Sequence, residues 1–413
     1  MTDDDLTTSL TRELRERADA VHGSTLALAD VTGRARSIRR RRTAAAVAGV
    51  AAAVAVIVPA ASLAGHHNGH RTEPAPITHS TPAAPEQPAA GVLDVSGLPT
   101  GEAPHLEYVT DGRTLHLANG GTVDLPTRYP VSAFVALSDG SHLWLTTHHG
   151  TPYVEVEDGD GGFRDPVPSG WDLTVDSTHT VGAWVRPDGQ VMVWNTGATE
   201  PLAYLDPVPA SGDLRMGPVL GSRCTSADPC EVYVNVSDQQ AQGGWQPWVV
   251  SVNGTEPLRD GDYRILADST ESGLSVGYRT ITDSGSCSVL LGGGEFHGFR
   301  TCRHTLVSFS PGGTTLLADP AYHDGIGNGV IAMYDLEGKV LFERHSTEGA
   351  QSFYPEAQWE DDGHVLAPVF QDGTWAIVRF ATDGSMEYAV PPVAGRDTGN
   401  PYVLATGGVP SAG

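Results

Sequence analysis

"GVIAMYDLEGKVLFER", Gly329 to Arg344, is two short apolar runs held apart by a polar turn. Branched and aromatic residues fill the runs, and the turn holds Asp335 and Gly338, residue types that reverse a chain sharply. The stretch reads as a β-hairpin. Three others share the design: "SAFVALSDGSHLWLTT" (132–147), "HTVGAWVRPDGQVMVWN" (179–195) and "GHVLAPVFQDGTWAIVRF" (363–380), each with Asp-Gly between the runs. Helical spacing is scarce beyond about Gly97, so the region 98–413 is expected to be all-β.

Glycines that follow a strand recur along this region at Gly121, Gly162, Gly197, Gly254, Gly294, Gly338 and Gly384. First and last are 263 residues apart, which averages about 44 per repeat, the period of a four-stranded propeller blade. Seven marks imply seven blades, although spacings of 41, 35, 57, 40, 44 and 46 also admit six or eight. The longest interval contains "CTSADPC" and "DQQAQGGW", which read as extended hairpins. From about Leu98 to Gly413 the chain thus resembles the β-propeller families, particularly the looser WD-repeat-like ones. The paired signature of true WD repeats is missing, since "MVWN" has Asn195 in place of Asp. The resemblance implies a closed ring, with "NPYVLAT" (400–406) pairing near "HLEYV" (105–109) to remove the open edge.

Ahead of this domain, Arg39, Arg40, Arg41 and Arg42 directly precede an apolar run, Ala44 to Ala64, that holds no charged residue. About 20 such residues span a bilayer as a helix, and flanking arginines stay on the cytoplasmic side. The expected order is a cytoplasmic segment (1–42), a transmembrane helix (43–64), a Pro-rich linker (65–97) and an exported propeller (98–413). The layout resembles single-pass actinobacterial membrane proteins that carry an exported propeller. "SLAG", with Ser62 and Ala64 at small-residue positions, offers the alternative of secretion after cleavage near Ala64. The long, partly acidic segment ahead of the run favours an uncleaved anchor. Within that segment, Leu6, Leu10, Leu14, Ala18 and Val21 fit one face of a short amphipathic helix.

Residues 98–413 carry 15 basic against 40 acidic side chains, which equals the −25 of the whole chain. Such a surface repels nucleic acid and anionic lipid. The four cysteines, Cys224, Cys230, Cys287 and Cys302, all follow the apolar run, as expected in an oxidising compartment. Three pairings exist in principle, and the local ones are Cys224 with Cys230 and Cys287 with Cys302. Neither spacing resembles a zinc knuckle.

Motifs for chemistry are sparse. "DGTW" (372–375) reads as a turn, and His148 and His149 lie beside a hairpin glycine as a solvated turn. "EDGDGGFRD" (157–165) has the composition of a calcium loop without its alternating register, so calcium is the sole cofactor suggested, and weakly. His66, His67 and His70 sit in the linker with nothing to fix them as ligands. Trp144, Trp171, Trp184, Trp194, Trp245, Trp248, Trp359 and Trp375 should mostly pack between blades. No nucleophile elbow, phosphate loop or dinucleotide fingerprint occurs. The leading expectation is a membrane-anchored extracytoplasmic binding or scaffold module for an envelope protein, peptide or polysaccharide. An exported glycosidase- or lyase-type enzyme and a transmembrane signalling protein using the N-terminal helix are the alternatives.

Overall fold

Valine, isoleucine, threonine and aromatic residues crowd the segments between glycine turns, and such side chains favour a pleated, packed backbone. The computed structural model describes residues 91–406, without 205, 210–211, 238–243, 259–263, 270, 283–284, 293–294, 323–326 and 348–350. Arg39 to Arg42, the expected transmembrane segment 43–64, the expected N-terminal helix and the linker as far as residue 90 lie outside these. Among the described residues, every regular element is a strand and no helix is long and apolar enough to cross a membrane.

The strands form seven sheets, six of four strands and one of five. Blade 2 comprises Val131–Ala136, His142–His148, Thr151–Glu157 and Val167–Pro168. Blade 3 is Leu173–Val175, Val181–Val185, Val191–Asn195 and Leu202–Ala203, and blade 4 is Leu214–Leu220, Glu231–Ser237, Trp245–Ser251 and Gly254–Pro257. Blade 5 contains Arg264–Ser269, Leu274–Thr282, Gly285–Gly292 and Glu295–Thr301. Blade 6 contains His304–Phe309, Thr315–Pro320, Val330–Asp335 and Val340–His345, and blade 7 contains Gln358–Trp359, His364–Gln371, Thr374–Ala381 and Met386–Ala394. Each is an antiparallel meander running from the ring's centre outward. The fold is a seven-bladed β-propeller.

All seven glycine marks fall where a blade's third strand turns into its fourth. Six are described, and Gly294 lies between the paired Gly292 and Glu295. The mark in blade 7, Gly384, has φ 84°, and the Asp372–Gly373 turn between that blade's second and third strands has the same chemistry: both residues have positive φ, 50° and 79°, and the hairpin closes through the Gln371–Thr374 pair. Positive φ at both central positions matches the right-handed twist of the strands.

Blade 1 closes the ring as the sequence implied. Its inner strand is Tyr402–Leu404, and its outer three are Tyr108–Thr110, Thr114–His116 and Thr122–Asp124. Tyr108 pairs with Leu404 and Thr110 with Tyr402, so the two ends of the domain share one sheet.

A second N-terminal contact was not anticipated. Gly91–Val92 adds a fifth, parallel strand to the outer edge of blade 6, opposite Arg344 and His345. The chain then crosses blade 7. Val95 N donates to Gln371 Oε1 (2.8 Å), and the peptide groups of Pro99 and Gly101 bond to Tyr388. Leu93 and Val95 are buried in a cluster with Ile331, Phe342 and Phe380. These apolar side chains draw the segment onto the rim from Gly91, seven residues ahead of Leu98.

The core lies between blades. One cluster joins blades 2 and 3 through Leu143, Trp184 and Trp194, another joins blades 3 and 4, and a third joins blades 7, 1 and 2. Central strands are covered on both faces, which is why all five residues of Val181–Val185 are buried. Gly182 marks a close approach of two blades, since a Cβ there would stand 2.2 Å from Leu143 Cδ1 of blade 2. Five tryptophans (144, 184, 194, 359 and 375) are buried, whereas Trp171 is exposed.

Candidate functional site: the central channel and two buried clusters

Seven inner strands leave a channel of about 430 Å³, lined by blades 3 to 7 and by Thr406 at the closure. Val219, Leu266, Val307 and Ala357 give the wall an apolar character, and Asp176, Asp268, Asp319 and Glu356 supply carboxyl groups.

These carboxyls differ in what they are free to do. Asp176 accepts from the amides of Thr178, Thr180 and Val181 at 3.0, 2.7 and 2.6 Å, so it closes the first turn of blade 3. Asp319 accepts from Tyr354 Oη (2.7 Å) and Asn328 Nδ2 (3.0 Å). Both are held by the scaffold. Asp268 accepts one hydrogen bond from Ser275 Oγ (2.5 Å), and Glu356 one from Leu404 N (3.1 Å). Burial, helped by the Glu231 charge, holds the Asp268 carboxyl above its usual range against the Ser275 bond. Burial pushes Glu356 up to about 7. Loss of solvent is the shared cause, because a buried carboxylate keeps its charge at a cost.

At the junction of blades 1 and 2, His142 lies between two carboxylates. Its Nε2 is 2.9 Å from Glu107 Oε2, and its Nδ1 is 3.4 Å from Glu157 Oε2, an ion-pair contact longer than a good hydrogen bond. Burial alone would lower its pKa. The two glutamates outweigh burial and raise it to about 9, so the imidazole is a cation at neutral pH.

At blade 6, His304, Glu343 and His345 bring one ligand atom each to within 4.8 Å of one another. His304 Nε2 is 3.4 Å from Glu343 Oε1, His345 Nε2 also meets Oε1, and Arg303 Nη2 is 2.6 Å from Oε2. Burial dominates at His304 and pushes its pKa down to about 4. At Glu343 burial is outweighed by the His345 hydrogen bond and the neighbouring charges, so the group lies below the usual carboxylate range.

The cysteines pair as the local reading expected, Cys224 with Cys230 and Cys287 with Cys302. Asn195, at the position where WD repeats have Asp, clamps the first disulfide loop through Cys224 N (2.7 Å) and Cys224 O (3.3 Å). The 157–165 loop does not gather its carboxylates. Glu157 turns inward to Trp144 Nε1 (3.1 Å) and His142, while Asp158 pairs with Arg164 (2.7 Å). His148 stacks on Tyr129, with centroids 4.3 Å apart, and tilts against His149. His66, His67 and His70 lie outside the described residues. Sequence reasoning missed the blade 6 cluster, for which the alternation Glu343-x-His345, placing both on one face of a strand, was the available signal.

The sheet order by itself defines the class as a seven-bladed propeller. No protein-family model matches the chain, and a search of curated proteins finds no match either. Similar solved structures include the β-propeller domain of Cps50 (Swd1) from Myceliophteria thermophila, at 9% identity over 65% of this chain and 88% of that one, TM-score 0.44. The propeller domain of the Trilobed protease from Pyrococcus furiosus is 11% identical over 64% and 85%, TM-score 0.43. YCF48 bound to D1 peptide is 12% identical over 70% and 86%, TM-score 0.43. Identities this low concern the fold alone.

Proposed function

We propose that this chain is a membrane-anchored, extracytoplasmic propeller that binds a protein, peptide or polysaccharide of the cell envelope, the ligand presenting an amino group to the central channel. The channel carries this reading. It is open, its wall mixes apolar side chains with carboxyl and hydroxyl groups, and among the described residues its Asp268 and Glu356 carboxyls are in no ion pair. A half-buried carboxyl with one hydrogen-bond donor has capacity left for an incoming cation. Two disulfides support an oxidising location, and Arg39 to Arg42 beside the apolar run support the anchor.

The test is binding of fluorescent lysine-containing peptides and amino-sugar oligomers to the full chain by polarisation at pH 7.5. Asp268→Asn combined with Glu356→Gln should abolish binding of whichever probe the wild type holds. Equal binding by the double variant, or no binding of any amine probe, would overturn the channel reading. Protection of the disulfide-bearing domain from protease added outside intact cells would overturn the topology.

One feature favours an enzyme as the second reading: Glu356 lines the channel with a single hydrogen-bond donor, and burial pushes its pKa up to about 7, a combination suited to general acid–base work. A glycoside or polysaccharide turned over by the wild type and left intact by Glu356→Gln would establish it. Turnover unaffected by that substitution would remove Glu356 from consideration.

A further inference from the structure

We propose that His304, Glu343 and His345 form a binding site for a divalent transition-metal ion of the zinc type, with an open coordination position on the side of His345. Two imidazoles with one carboxylate make a donor set suited to zinc, and zinc sites with three protein ligands leave the fourth position to water. Calcium is disfavoured because it takes six to eight oxygens, and cuprous copper because it selects sulfur ligands.

The geometry fits this ion. Ligands about 2.0–2.1 Å from a tetrahedral zinc stand about 3.3–3.4 Å apart, and His304 Nε2 and Glu343 Oε1 are separated by 3.4 Å. His345 is closer to Oε1 than that, and at 38% side-chain exposure it has room to withdraw. The carboxylate is already turned for the task, since Arg303 occupies Oε2 and leaves Oε1 to the two imidazoles. The second nitrogen of His304 is also fixed, with Nδ1 2.5 Å from Tyr334 Oη. With a metal on Nε2, Nδ1–H donates to that oxygen, the kind of outer contact that orients ligating histidines.

The backbone around the ligands is constrained on every side. Cys302, two residues before His304, is tied to Cys287. Glu343 and His345 alternate on the outer strand of blade 6, whose free edge is covered by Gly91–Val92, with Val92 opposite His345. A bound ion would therefore link the start of blade 6 to its outer strand.

The experiment uses the full chain with disulfides intact, stripped with a chelator and titrated with zinc chloride by calorimetry. His66, His67 and His70 also offer imidazoles, so it is run on the His66→Ala, His67→Ala, His70→Ala background. One equivalent should bind there. His345→Ala and Glu343→Gln should each weaken it at least ~100-fold, and Tyr334→Phe by about 10- to 100-fold. His345→Ala, at a partly exposed side chain, keeps the test open if the buried variants fail to fold. No stoichiometric uptake on that background, or uptake unchanged by His345→Ala, would overturn the proposal.

Discussion

Replacing Arg379 by methionine probes how the N-terminal segment is locked to the ring. Arg379 lies on the third strand of blade 7, its side chain 7% exposed, and makes a two-point contact with Glu360, whose side chain is 1% exposed: Nε to Oε2 at 2.5 Å and Nη2 to Oε1 at 2.8 Å. The same guanidinium pairs with Glu387 and donates to Glu102 O (3.0 Å) and Ala103 O (3.2 Å) of the crossing segment. Methionine fills similar volume but leaves Glu360 charged, buried and reduced to one hydrogen bond, from His105 N at 2.7 Å. Removing one partner of a buried pair costs about 3–5 kcal/mol, most of it the stranded charge. A domain of roughly 300 residues unfolds with an entropy of about 0.6 kcal/mol per kelvin, so the melting temperature should fall by about 5–8 °C. Scanning calorimetry of the full chain measures this. Glu360→Gln in the Arg379→Met background removes the stranded charge and should recover part of the loss. A fall under about 1 °C, or a double variant less stable than the single, would refute the reasoning.

Three further outcomes follow from the geometry. The folded-state pKa of His142, raised to about 9, means that its contribution is fully present below about 6.5 and fades as pH rises toward 9. Urea titrations should show wild-type stability falling across that window by about 3 kcal/mol, and a flatter profile for His142→Gln. Glu356, raised to about 7, gives a decline between about 4.5 and 7, because the folded state holds a proton that the unfolded chain has released. Glu356→Gln should therefore melt higher than wild type at pH 8 and no higher at pH 4; a uniform offset would point to packing instead. Leu404→Ala, at a fully buried position of the closing strand, should cost about 2–5 kcal/mol in chemical denaturation, and a change under about 1 kcal/mol would mean that the ring does not depend on that strand.

The seven-fold repeat was legible because turn chemistry is local. Each blade must reverse between its third and fourth strands, and glycine serves that backbone whatever packs around it. Strand faces were harder to read, since Val181–Val185 is buried throughout and shows no alternation. The sites were hidden for a different reason. Asp268 and Glu356 come from blades 5 and 7, Glu360 and Arg379 are 19 residues apart, and His304 reaches Glu343 from the far end of its blade. The first meeting depends on how sheets are arranged about the axis and the other two on how the strands of one blade fold back on each other, neither of which spacing along one chain encodes. Glu157 makes the converse point: an acidic run suggested an outward-facing cation loop, yet the indole of Trp144 and the imidazole of His142 turn that carboxylate inward.

The closing strand also has a bearing on when the ring can form during synthesis. Tyr108–Thr110 waits with an unpaired inner edge until Tyr402–Leu404, made after all the other strands of the ring, arrives beside it. The four-stranded meanders of blades 2 to 7 are each continuous in the chain and can assemble in order as they emerge. Blade 1 cannot. Until then its exposed edge is open to pairing with another chain, so a truncated or stalled product is the species most prone to associate.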